Sequence, residues 1–256
     1  MPPFKELDFF APEGPEGNRR DKMIWLYHAL GRRLRDGVED PAELAWLAQL
    51  VTAEPKDLAW YGHLFAPADG RICGDISPAY FRLDDAGVAR VRQAVPDARI
   101  VVLLRHPVER ADSQIGLMQQ WKRWPADLPE TELVRRVTQE PFGAFGDHAA
   151  VLARWEAAFG AERVVVAFHD EIKAQPARTL LRISTALGAP VDAGEVGIDP
   201  GQRVNGAKRS VRSPGFYGAL ARHFLPRVAP LRARFPEPVG RWCDEMAALA
   251  TLPPLD

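Results

Sequence analysis

Residues 98–114 read A-R-I-V-V-L-L-R-H-P-V-E-R-A-D-S-Q, and this stretch predicts the fold class. The apolar run Ile100–Leu104 is rich in β-branched residues and is bounded by charge, which is typical of a strand buried on both faces of a parallel sheet. Pro107 ends such a strand, because it has no N–H to donate and restricts the residue before it, and it can begin the next helix. The stretch therefore predicts a strand followed directly by a helix.

Three polar side chains follow this strand. Arg105, Arg110 and Ser113 are expected at its carboxyl end and on the first turns of the helix. Open α/β sheets bind ligands at this edge, and a helix N-terminus favours an anion. Two guanidinium groups and a hydroxyl there predict a phosphate site. The alternative is that Arg105 only forms a salt bridge and that Ser113 is an ordinary residue of the helix surface.

Composition excludes several classes of protein. Of the 256 residues, 46% are hydrophobic and 26% are charged, as in soluble globular proteins. A net charge of −1 favours neither nucleic acid nor an anionic membrane as a partner. No apolar run approaches the roughly 20 residues of a membrane helix, and the N-terminus does not read as a secretory signal. Cys73 and Cys243 are too few for a disulfide framework or a multi-cysteine metal site, and they indicate a reducing, cytoplasmic compartment.

Two further motifs lie before the central strand. The first, F-K-E-L-D-F-F at residues 4–10, can be an N-terminal strand with Lys5 and Glu6 on its solvent side. The second, G-D-I-S-P-A-Y at residues 74–80, follows a predicted short strand at residues 71–74. It places a second carboxylate, Asp75, in a turn.

The stretch L-L-R-H-P-V-E-R-A-D-S resembles the 3′-phosphate-binding motif of sulfotransferases that use 3′-phosphoadenosine 5′-phosphosulfate (PAPS), a strand followed by L-R-[ND]-P-x-x-R-A-x-S. His106 stands where Asn or Asp is commoner. The resemblance implies that Arg105 and Ser113 hold the 3′-phosphate of the nucleotide. It implies that Arg110 braces the turn.

The other two motifs resemble the same family, in particular its heparan-type and related bacterial members. K-E-L-D-F-F is similar to the family's K-E-x-x-F-F, which implies that Glu6 is the catalytic base. G-D-I-S-P-A-Y is similar to G-E-K-[ST]-P-x-Y, with Asp75 in place of Glu and Ile76 in place of a Lys. Asp75 can assist the base or only bond the turn. The loss of the Lys would weaken stabilisation of the charge on the transferring group.

Two later segments carry candidate residues. A second buried strand is predicted over residues 163–168, and His169 at its end is either a catalyst or, more commonly for a single histidine, a hydrogen-bonded scaffold residue. Residues 201–215 are polar and basic. By resemblance, Lys208, Arg209 and Arg212 can close over the 3′-phosphate, and a solvent loop is the alternative.

The resemblance implies an α/β protein with a three-layer, P-loop-NTPase-like sulfotransferase fold, in which helices flank a central parallel sheet in one domain over residues 1–256. In the family, a first strand and a Gly-rich loop for the 5′-phosphosulfate precede the K-E motif. No G-x-x-x-x-G-[KT]-[ST] pattern occurs in this sequence. We therefore expect the first strand and the loop to be missing, either because the gene model is truncated or because part of the donor site is lost.

The function implied by the resemblance is transfer of a sulfuryl group from PAPS to a hydroxyl or amine of a carbohydrate or small metabolite. This chemistry requires no metal, and the sequence shows no cluster of metal ligands. One alternative is an inactive, N-terminally truncated module that binds the nucleotide. A nucleotide kinase of similar fold is disfavoured, because the sequence has no Walker-type Lys loop.

Overall fold

The computed structural model describes residues 6–11, 28, 31–32, 34–37, 40–52, 58–68, 70–191 and 211–255. They form two compact units, Met1–Asp97 and Ala98–Asp256.

The first unit is helical. Its helices are α1 (Pro41–Thr52), α2 (Leu58–His63) and α3 (Asp85–Ala94), and a 3₁₀ turn spans Pro78–Arg82. Asp84 caps α3, since its side chain accepts the Gly87 N–H at 2.7 Å. The indole N–H of Trp60 donates to the Leu50 carbonyl at 3.0 Å and so joins α2 to α1. Trp60 and Tyr61 are buried in the core of this unit.

Two strands predicted in this unit are absent from its described residues. Residues 71–77 have no strand pairing. The N-terminal strand interpretation is wrong for residues 6–10, because Glu6 (φ 57°) and Asp8 (φ 49°) adopt left-handed backbone rather than extended backbone. The two motifs therefore meet without forming a sheet, through one backbone hydrogen bond and through side chains.

The second unit contains the predicted parallel sheet. Strands β1 (Ile100–Leu104) and β2 (Val164–Phe168) pair in parallel, with Leu104 opposite Phe168. Val102 and Leu104 are buried, whereas Val101 and Leu103 are 40% and 48% exposed. The prediction that β1 is buried on both faces is wrong, because its alternating side chains bury one face only.

Seven helices are described in the second unit: α4 (Pro107–Gln120), α5 (Glu130–Thr138), α6 (His148–Phe159), α7 (His169–Ala174), α8 (Pro176–Leu187), α9 (Pro214–Val228) and α10 (Arg241–Ala250). The sequence predicts one helix from His169 to Gly188, but Pro176 begins a separate helix there. Gly188 ends α8 in left-handed backbone at φ 82°. The predicted α/β class with a parallel sheet is confirmed, in a helix-rich form.

The core of the second unit fixes the start of α4. Trp242 and Phe216 are completely buried, as is Ile115 on α4. A buried α4 that begins directly after β1 places the residues of the turn, 105 and 106, at the carboxyl edge of the sheet.

Candidate active site

The strand register determines what surrounds Arg105. Arg105 follows β1 and His169 follows β2, and the last residues of the two strands are paired. An Arg105 Nη atom lies 3.6 Å from a Glu109 carboxylate oxygen, and Lys173 Nζ lies 3.6 Å from the same oxygen. Burial lowers the pKa of His169, and the charges of Arg105 and Lys173 lower it further. Arg105 and Lys173 therefore bring positive charge to this sheet edge, beside the Glu109 carboxylate.

Arg110 adds a second guanidinium to this edge. Its guanidinium carbon lies 3.8 Å from the centre of the Phe145 ring, and its Nη2 donates to Gln114 Oε1 at 3.4 Å. Within the described residues, no carboxylate forms an ion pair with Arg110. Burial, followed by the charge of Arg105, lowers the pKa of Arg110 to about 9, so the side chain stays charged at neutral pH. A desolvated cation without a counter-ion favours binding of an anion.

Ser113 lies on the same helix as Arg110, three residues later, and therefore on the same helix face. It is half-buried, and its hydroxyl makes no hydrogen bond with any residue that the structure describes. Among the described residues, nothing competes with a ligand for this hydroxyl. The structure places Arg105 and Ser113 where the sequence predicts them, and their roles stay predictions.

The contacts of His106 show how a histidine can replace the commoner Asn or Asp at this position. Its Nδ1 accepts the Glu109 N–H at 3.5 Å, which is the cap that a shorter polar side chain would supply. Burial lowers the pKa of His106, against the opposing effect of Glu245, whose carboxylate lies 3.6 Å from Nε2. A neutral ring with its proton on Nε2 leaves Nδ1 able to accept the Glu109 N–H.

We expect His106→Ala to unfold more easily than His106→Asn, by about 0.5–1 kcal/mol. Both changes remove the ring that packs edge-on against Trp242, so the difference between them isolates the cap. Urea unfolding followed by circular dichroism measures it. Equal stability of the two variants would show that a polar side chain at this position does not cap α4.

The basic segment after α8 is only partly described. Lys208 and Arg209 lie outside the described residues. Arg212 is half-buried in contact with α4: its Nε lies 3.6 Å from Asp112 Oδ1, and its Nη2 donates to Gln119 at 3.2 Å. These contacts hold Arg212 beside α4, and its role as a phosphate ligand stays a prediction.

The Glu6 segment, residues 6–10, lies in the first unit. Glu6 is exposed, and its N–H donates to the Ile76 carbonyl at 3.2 Å. Leu7 is buried, and its two neighbours in sequence, Glu6 and Asp8, both have positive φ. Non-glycine residues in this backbone region are strained and cluster at functional sites. An exposed carboxylate on such a segment can accept a proton from a bound molecule.

Asp75 organises the turn that holds this segment. Its Oδ1 accepts the Ser77 hydroxyl at 2.7 Å, and its Oδ2 accepts the Tyr80 hydroxyl at 2.6 Å. Burial raises the pKa of Asp75, and the hydroxyl donors oppose that rise. The Ile76 side chain, in place of the family's Lys, is 61% exposed. Sequence reasoning matched Ser77 and Tyr80 to a motif but missed their role.

Residues 4–193 match the sequence profile described as the Sulfotransferase family. The chain belongs to the sulfotransferase family. A solved structure from Alicyclobacillus acidocaldarius, described as a sulfotransferase, is similar at 25% sequence identity and a TM-score of 0.58. The match covers 94% of this chain and 87% of that one. The comparison with curated proteins found no match.

Family membership indicates sulfuryl transfer as the general activity of this sulfotransferase. Among its described residues, no helix is long and apolar enough to cross a membrane. The same part of the chain contains no group of three or more His, Cys, Asp or Glu residues that can hold a metal ion.

Proposed function

We propose that this protein transfers a sulfuryl group from PAPS to a hydroxyl or amine of a carbohydrate or small metabolite. The observation that carries the proposal is the pair of neighbouring guanidiniums at the carboxyl edge of the sheet, with Arg110 charged and without a carboxylate partner among the described residues. This edge fits a phosphate group. The family match runs through both compact units, which supports one functional domain over residues 1–256.

In this proposal, Arg105 and Ser113 hold the 3′-phosphate. Lys208 and Arg209, outside the described residues, add positive charge to it. The contact of Arg212 with Asp112 supports the role of Lys208 and Arg209. Asp112 is the residue before Ser113, and Arg209 lies only three residues before Arg212. The free cysteines, Cys73 and Cys243, support a reducing cytoplasmic location.

The proposed reaction is an in-line displacement at sulfur. The acceptor oxygen or nitrogen forms a new bond to sulfur, the bond from sulfur to the bridging phosphate oxygen breaks, and adenosine 3′,5′-bisphosphate leaves with the electron pair. Glu6 takes the proton of the acceptor. Such loose transfers depend mainly on positioning and on positive charge near the phosphates.

Calorimetry with two nucleotides tests the donor site. We expect wild-type protein to bind adenosine 3′,5′-bisphosphate more tightly than adenosine 5′-monophosphate. Arg105→Ala should weaken binding of the bisphosphate about 30-fold, or ~2 kcal/mol, because it removes a charge-assisted contact to the 3′-phosphate. Binding of the monophosphate should change little.

Arg178→Ala is the matched control, because it removes the same charge from an exposed position on α8. It should bind both nucleotides as wild type does. If Arg105→Ala weakened both nucleotides equally, the assignment of Arg105 to the 3′-phosphate would be wrong. If folded wild-type protein bound neither nucleotide, PAPS as the donor would be excluded.

A further inference from the structure

Two hydroxyls connect Asp75 to the backbone of the Glu6 segment. The Ser77 hydroxyl donates to Asp75 and its oxygen accepts the Asp8 N–H at 2.9 Å. The Tyr80 hydroxyl donates to Asp75 in the same way, and its oxygen accepts the Phe10 N–H at 3.4 Å. Each hydroxyl has one proton. Because Asp75 accepts both of these protons, the hydroxyl oxygens of Ser77 and Tyr80 can only accept hydrogen bonds from the Glu6 segment.

Packing reinforces these two connections. The Phe9 ring stacks on Tyr61 with 4.6 Å between ring centres, and Phe10 meets the same ring edge-on at 5.0 Å. Burial, followed by the charge of Asp75, raises the pKa of Tyr61. The Glu6 N–H is held by the Ile76 carbonyl, one residue after Asp75. Alternate amides of the segment, at residues 6, 8 and 10, are thus bound by residues 76–80.

We propose that Asp75 is a positioning residue that fixes the backbone on which Glu6 stands, by polarising Ser77 and Tyr80 as acceptors for the amides of Asp8 and Phe10. The inference rests on the proposed role of Glu6 as the base. The hydroxyl protons of Ser77 and Tyr80 occupy one lone pair on each Asp75 oxygen, which assigns Asp75 to holding the turn. The left-handed backbone at Glu6 and Asp8 requires such external support, since it is unfavourable for these residues without it.

Asp75→Asn is the informative variant, because the two side chains have nearly the same shape. The amide nitrogen of Asn donates a proton and cannot accept one, so one hydroxyl must turn its own proton towards a backbone N–H. Tyr80→Phe removes only the connection to Phe10, and Ser77→Ala removes only the connection to Asp8. Asp84→Asn is the matched control, because Asn caps a helix as well as Asp does.

Amide hydrogen exchange, resolved by NMR, tests the positioning without any substrate. We expect Asp75→Asn to speed exchange of the Asp8 or the Phe10 amide at least 10-fold. Tyr80→Phe should do so for the Phe10 amide, and Ser77→Ala for the Asp8 amide. Amides of β1 should exchange as in wild type in every variant, and Asp84→Asn should leave the segment unchanged. Wild-type exchange at residues 8 and 10 in Asp75→Asn would overturn the inference.

Turnover decides whether this positioning serves catalysis. PAPS is the donor, and the acceptor is the best substrate from a panel of glycosides, amino sugars and phenols. We expect Asp75→Asn to lower kcat about 10-fold with an unchanged KM for PAPS, and to have no further effect in a Glu6→Gln background. If Asp75→Asn lowered kcat by the same factor in the Glu6→Gln background as in wild type, a role of Asp75 that acts through Glu6 would be overturned.

Failure of the inference differs from failure of the proposed function. If wild-type protein transferred no sulfuryl group to any acceptor of the panel, the function and the catalytic part of the inference would both be overturned. The exchange measurement would still decide whether Asp75 holds the segment.

Discussion

Glu6→Gln is expected to lower kcat for sulfuryl transfer by about 10²–10⁴-fold, the usual contribution of a general base. Gln has the shape of Glu but cannot accept the acceptor's proton at neutral pH. The Glu6 side chain is exposed, so the change removes no buried contact. Binding of adenosine 3′,5′-bisphosphate should therefore stay at the wild-type affinity, which separates a loss of proton transfer from a loss of the donor site.

The measurement is kcat and KM with PAPS and the best acceptor of the panel, beside calorimetry with the bisphosphate. Glu162→Gln is the control, since Glu162 is exposed in a turn of the second unit and the change is chemically the same. It should retain full activity. A Glu6→Gln variant with wild-type kcat would exclude Glu6 as the base.

Features that depend on neighbours in sequence were predictable. The apolar run, the following Arg and the Pro locate β1, the start of α4 and the position of Arg105, because a strand, its end and a helix start are each signalled within a few residues. The position of Ser113 on the helix follows from the same spacing. Even the unusual His106 has a local explanation, because its ring nitrogen reaches an amide three residues later.

Features that join distant residues were not predictable. Ser77 accepts the amide of Asp8, 69 residues earlier, and Arg212 donates to Gln119, 93 residues earlier. No periodicity or spacing encodes such contacts. The failure at β1 has a similar origin, since the exposure of Val101 and Leu103 depends on which distant elements pack on each face of the strand.

Buried histidines are a further case that the sequence alone does not reveal. His148 is 1% exposed at the start of α6, and its ring meets Trp242 edge-on with 6.1 Å between ring centres. Burial lowers the pKa of His148 to about 3, with a further contribution from the charge of Arg110. The backbone of Phe145 acts in the opposite direction. The ring is therefore neutral in the folded protein throughout the physiological range.

This neutral ring makes the protein sensitive to acid. The ordinary pKa of histidine in an unfolded chain is about 6.5. Below that pH the unfolded chain binds a proton that the folded chain does not, so stability falls as the pH decreases from 6.5 towards 3. One such group contributes up to about 1.4 kcal/mol per pH unit, or ~2 kcal/mol between pH 6.5 and pH 5. Burial lowers the pKa of His106 in the same direction.

We expect His148→Gln to reduce the loss of unfolding free energy between pH 7 and pH 5 by about 2 kcal/mol relative to wild type, although the variant is less stable at pH 7. Glutamine keeps the capacity to form hydrogen bonds but does not titrate. The carboxylates are common to both proteins, so their effects on the pH dependence cancel in the comparison. Urea unfolding at pH 7, 6 and 5 measures the slope. His28→Gln, at an exposed position, should keep the wild-type slope. If His148→Gln kept it too, the buried ring of His148 would not be the source of acid sensitivity.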